Sequence, residues 1–114
     1  MTLEELCGAI LALPEAWEDQ PFGPGALVYK VRNKMFALVA PENPPSVSLK
    51  CEPLLATLLR DTYPAVTPGY HLNKRHWNTV VVDGSVPKEE LLEWITLSYD
   101  LVVKGLPKRD REEL

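Results

Sequence analysis

Residues 26–40, ALVYKVRNKMFALVA, decide how this chain folds. Leu27, Tyr29 and Val31 alternate with Val28, Lys30 and Arg32, which is the two-residue period of a half-buried strand. Asn33 and Lys34 then read as a two-residue turn, asparagine tolerating the positive φ of a tight hairpin, into a second strand over Met35 to Ala40. A hairpin here commits the chain to antiparallel pairing. Its tip gathers Lys30, Arg32 and Lys34 into a compact basic end.

Upstream, Thr2 with Glu5 forms a capping box, and Leu3, Leu6, Cys7, Ile10 and Leu13 recur at helical spacing until Pro14. The spacing predicts a helix over Leu3 to Leu13. Trp17 to Gln20 has the length of an edge strand, and Pro21 to Gly25 is dense in turn residues. Downstream, Pro41, Pro44 and Pro45 interrupt the chain before Ser46 to Lys50, where Val47 and Leu49 face one way and Ser46, Ser48 and Lys50 the other. Pro53 suits the first turn of a second helix with an apolar stripe of Leu54, Leu55, Leu58 and Leu59, ended at Tyr63-Pro64.

The stretch YPAVTPGYHLNKRHWNTVVVD, Tyr63 to Asp83, runs from a proline-punctuated loop through a polar, basic and aromatic cluster into a strand over Trp77 to Asp83, through Thr79, Val80, Val81 and Val82. After the Asp83-Gly84 turn, Leu91, Leu92, Ile95, Tyr99, Val102 and Val103 mark the inner side of a last helix. Gly105 is placed as its C′ residue, with Leu106 folding back and Pro107 ending it. Residues 108–114 read as a solvated tail. The order α-β(3–4)-α-β(1–2)-α, with mostly short connections, predicts an α+β fold: two layers, a largely antiparallel sheet with helices on one face and the other face open.

Composition agrees with one globular domain: 114 residues, 46% hydrophobic and 25% charged, with no run long enough for a membrane helix. An acidic N-terminus without an apolar leader predicts a cytoplasmic protein, and Cys7 and Cys51, far apart, predict neither a disulfide framework nor a zinc site. The net charge of −4 is unevenly spread. Residues 1–19 and 83–114 hold 13 acids and five bases, whereas residues 20–82 hold seven bases and three acids. Helical ends on one layer and a sheet in the middle would give an acidic and a basic side.

Three stretches together resemble the MmcQ/YjbR family of small bacterial proteins: Pro21-Phe22-Gly23-Pro24 leading to Tyr29 through Ala37, then Tyr63 through Val80, then Ser98 through Pro107. The resemblance covers nearly the whole chain. It implies a frataxin-like (CyaY-like) or secretion-chaperone-like sheet, and carries a DNA-binding label that rests on likeness of fold. Asn33 stands where the family leads one to expect glycine in the hairpin turn, and asparagine can fill that role.

For nucleic acid, Lys30, Arg32, Lys34, Lys50, Lys74 and Arg75 would neutralise phosphates, His71 and His76 would add pH-dependent charge, and Tyr70 and Trp77 would stack on bases. The same aromatics could instead lock the loop, with the cations a solvated face. A pI near 5.1 argues against a broad duplex footprint. For metal, His71 and His76 lack a nearby ligand pair at zinc spacing. For catalysis, Cys51, Ser98, His71, His76 and Asp100 are joined by no local motif, and Gly23 and Gly25 precede no GK[ST]. Trp94, Tyr99, Leu106 and Pro107 offer a surface for a dimer or partner, against ordinary packing of a terminal helix. The sequence therefore predicts a non-enzymatic binding protein without cofactor or metal. Its expected partner is DNA, held by the basic hairpin and the His71–Trp77 loop; the alternative is a protein-interaction module for a peptide or partner.

Overall fold

Thr2 opens the first helix through the expected capping box: its hydroxyl accepts from the Glu5 amide at 3.1 Å while the Glu5 carboxylate accepts from the Thr2 amide at 2.9 Å. In the computed structural model, which describes residues 1–114, this helix α1 spans Leu3–Leu11 and is followed by β1 (Ala16–Asp19), β2 (Leu27–Val31), β3 (Lys34–Ala40) and β4 (Ser46–Lys50). Helix α2 (Pro53–Thr62), β5 (Val66–Pro68), β6 (Trp77–Val81), α3 (Lys88–Lys104) and α4 (Lys108–Glu112) complete the chain. The strands form one antiparallel sheet ordered β1-β2-β3-β4-β6-β5. This is the α+β class and the layer arrangement that periodicity predicts, with four strands before α2 and two after it.

Register assigns the faces. Tyr29 pairs with Ala37, Ala37 with Leu49, Leu49 with Asn78, while Val39, Val47, Val80 and Val66 form the next row. Cross-strand partners point the same way. These rows meet Leu6 and Ile10 of α1 and Leu91, Ile95, Tyr99 and Val102 of α3 in one apolar core. The ladder slips between Tyr29 and Lys30, leaving Phe36 as an extra residue on β3. The bulge turns both Phe36 and Ala37 inward, where Phe36 packs edge-on against Tyr99 at 5.3 Å.

Four local expectations change. The hairpin turn is Arg32-Asn33, because Lys34 already pairs with Val31, and the left-handed residue is Arg32 at φ 54° and not Asn33. Gly105 is right-handed at φ −83°, and α3 ends through i→i+3 bonds from the Gly105 and Leu106 amides to Val102 and Val103. The segment after Pro107 is helical, and beyond it Leu114 packs against the core. In α2 only Ala56 is buried; Leu54 and Leu58 face solvent. The small Ala56 lets the helix approach the sheet, where its carbonyl accepts from the Asn78 amide at 3.2 Å, and this docking turns half of the leucine stripe outward.

Candidate nucleic-acid interface

With α1, α2 and α3 on one side, the opposite sheet face is uncovered. Its rows follow from the same register: Trp17 beside Lys30, Lys30 beside Met35, and Lys50 beside Trp77. Next comes a hydroxyl row in which Ser48 pairs with Thr79 and Thr79 with Thr67. Ser48 and Thr79 are hydrogen-bonded at 2.8 Å, and the Tyr70 amide donates to the Thr79 hydroxyl at 3.1 Å.

The sequence places all the cations in one basic region, but the structure divides them. Lys30 is held by Asp19 at 2.9 Å and lies 5.3 Å from the Trp17 ring centroid. Arg32 contacts Glu15 at 3.4 Å and Glu113 at 3.1 Å, while its carbonyl accepts from the Trp17 indole at 2.7 Å. The expected basic hairpin tip is therefore neutralised at two of its three positions, because β1 and the C-terminal segment bring carboxylates against it. Lys34, Lys50, Lys74 and Arg75 form no ion pair. Lys34 and Lys50 sit at the same end of β3 and β4, and Trp77 opposite Lys50 carries the loop with Lys74 and Arg75 to that end too.

Arg60, absent from the sequence-based candidates, fixes that loop. From α2 its Nε donates to Asn78 Oδ1 at 2.6 Å, and its Nη2 donates to the carbonyls of Trp77, at 3.2 Å, and Lys74. The Lys74 ammonium donates to the Gly69 carbonyl at 2.9 Å, and Asn73 Oδ1 accepts the Arg75 amide at 3.0 Å. Gly69 is required: a Cβ there would lie 2.7 Å from the Trp77 Cβ. The lone signal for Arg60 in the sequence is a cation in the last turn of a helix, which reads first as a partner for the helix dipole.

Two depressions border the loop. One, of about 360 Å³, lies at the cationic end and is lined by Lys50, Asn73, His76 and Trp77 with Cys51, Glu52 and Leu101. The other, of about 710 Å³, lies over the uncovered face, where Leu38, Thr79 and Val81 contribute to its floor and Tyr70 and His71 to its wall. His71, left-handed at φ 59°, lies against the Tyr70 ring at 4.0 Å. His71 and His76 thus serve different depressions and share no site.

The loosely nominated catalytic residues are also dispersed. Ser98 is buried within the β3–β4 junction, accepting from the Lys50 amide at 2.8 Å and donating to the Phe36 carbonyl at 2.6 Å. It completes the ladder where the bulge interrupts it. Burial pushes the Cys51 thiol above its ordinary pKa, with Glu52 adding to the effect, which favours the protonated form over the nucleophilic thiolate. Trp94 and Leu106, nominated for a partner surface, are core residues.

The YjbR family model matches residues 11–101, the whole sheet and most of α3. The chain belongs to the YjbR family. This YjbR-family chain is 41% identical over 115 residues to the uncharacterised protein YjbR of Escherichia coli strain K12, covering all of this chain and 98% of that one. It is 38% identical to the uncharacterised protein YbdF of Escherichia coli O157:H7, covering 91% of this chain and 86% of that one. Among solved structures, the Deinococcus radiodurans protein DR2400, which carries a DUF419 domain, superposes with a TM-score of 0.92 at 41% identity, over 98% of this chain and 86% of that one. A Pseudomonas syringae protein superposes with a TM-score of 0.78 at 25% identity, over 89% of this chain and 98% of that one. No helix is long and apolar enough to cross a membrane.

Proposed function

We propose that the protein binds DNA, in single-stranded form, across the uncovered sheet face at its cationic end. The observation that carries this reading is the cross-strand pairing of Lys50 with Trp77 on a face no helix covers. An aromatic ring beside a free ammonium, on a sheet face no helix covers, suits an unstacked base and its phosphate. Lys74 and Arg75 at the same end extend the phosphate track, whereas Lys34, paired with the core-facing Val31, points to the helical side. Single strands suit the site better than duplex because the protein as a whole is acidic, with a pI near 5.1. Lys30 and Arg32 are structural in this reading. The larger depression, walled by Tyr70 and His71 and holding no lysine or arginine, favours a second reading in which the same face takes an extended peptide.

Fluorescence anisotropy of a labelled single-stranded oligonucleotide, titrated at several salt concentrations, tests the proposal. Neutralising three phosphates predicts a log–log salt slope of about −2, and Lys50→Ala should flatten it by about 0.7. Lys30→Ala should leave the slope unchanged. Absence of binding at low salt, or equal effects of the two substitutions, would overturn the reading.

A further inference from the structure

The helical side of the molecule carries a second surface, which adjoins the depression at the cationic end through Cys51, Glu52 and Leu101. Leu54 is 89% exposed and Leu58, one turn later on α2, is 58% exposed; Leu97 on α3 is 39% exposed. Exposed leucines scattered singly need no explanation, but Leu97 lines a trough between α2 and α3, and Leu54 and Leu58 are on the helix that forms its other bank. The trough, about 260 Å³, is lined by Leu55, Leu97 and Leu101 above Cys51. Leu55 and Leu59 on one bank, and Leu97 and Leu101 on the other, each repeat at one helical turn. That spacing matches side chains presented at i and i+4 by an incoming helix.

The rim is acidic. Glu52, Asp100 and Lys104 line the trough, while Glu93 lies one turn from Leu97 on the same face of α3. None of these three carboxylates is in an ion pair, and Lys104 is the one cation among them. A second copy of this chain would bring an equally acidic rim against the first. From the apolar floor and this charge, we infer that the trough between α2 and α3 docks a basic amphipathic helix of another protein, its apolar side chains in the trough and its lysines or arginines against Glu52, Glu93 and Asp100.

The test uses the full chain, labelled with ¹⁵N, and a synthetic helical peptide bearing leucines at i, i+3, i+4 and i+7 flanked by lysines. Two control peptides keep one feature each: the same leucines with glutamates in place of lysines, and the same lysines with serines in place of leucines. The expected result is saturable binding of the first peptide, with shifts centred on Leu55, Leu97 and Leu101. Each control should bind more weakly by about tenfold or more, since apolar and charged contacts are both needed. Leu97→Glu, which should remain folded because this side chain is already exposed, should abolish the interaction. Equal binding of the serine peptide, shifts elsewhere, or wild-type self-association removed by the same substitution would overturn the inference.

Discussion

Replacing Arg60 by methionine removes the cation that ties α2 to the loop before β6 while keeping much of its aliphatic length. Arg60 donates to Asn78 Oδ1 and to the carbonyls of Lys74 and Trp77. Hydrogen bonds involving a charged group contribute about 1.5 to 3 kcal/mol each, but three bonds from one side chain are not independent. Asn78 is 3% exposed, so its orphaned Oδ1 adds a desolvation penalty of about 1 to 3 kcal/mol. The loop carbonyls can recover water. A total loss of about 3 kcal/mol follows, lowering the melting temperature by about 12 °C for a domain of this size. Denaturant unfolding of Arg60→Met, Asn78→Ala and the double variant would give a coupling energy of about 1 to 2 kcal/mol, and amide exchange at Gly69 and His76 would accelerate. A loss below about 1 kcal/mol, or additive single effects, would refute the assignment of Arg60 as the anchor of this loop.

Gly69→Ala must push β5 away from Trp77, and denaturant unfolding should register a loss of about 2 kcal/mol. Ser98→Ala leaves the buried Lys50 amide and Phe36 carbonyl unpaired at the bulge, with a similar loss of about 2 kcal/mol that Ser98→Thr does not rescue if the site is as closely packed as its burial implies. Burial raises the hydroxyl pKa of both Tyr29 and Tyr99 above the ordinary 10.0. Their neutral forms are favoured in the folded state, so this stability is fully present below pH 10 and falls as pH rises above it; Tyr99→Phe should soften the alkaline decline of the unfolding free energy. Glu5 and Asp83 have lowered pKa values through bonds to Thr2 and Ser85, so acid titration should weaken the start of α1 and the turn after β6 as pH falls through their folded values.

Where apolar residues alternate with period two, the sequence already states the fold: Val47 and Leu49 face the core and Ser48 and Lys50 the open side, as the pattern requires. The capping box of α1 is likewise a local signal with a local consequence. What alternation cannot convey is which long-range partner arrives. Arg32 reads as a free cation until the turn before β1 and the C-terminal segment place Glu15 and Glu113 beside it. Ser98 reads as one more hydroxyl on a helix until the bulge at Phe36 creates two unpaired backbone groups for it. The α2 stripe fails for a related reason: four leucines signal an apolar face, but Ala56 is the residue small enough to meet the sheet. The loop from Tyr63 to Asp83 was legible as a candidate site. Its anchor, Arg60, lies outside it.

Backbone amide mapping of the ¹⁵N-labelled protein with a short single-stranded oligonucleotide at low salt tests the central claim most directly. The account predicts saturable shifts at Lys50, Ser48, Thr79 and the Trp77 indole, with α2 and the N-terminal half of α3 silent. Shifts confined to the helical side, or none at an oligonucleotide concentration that saturates a known single-strand binder, would contradict it.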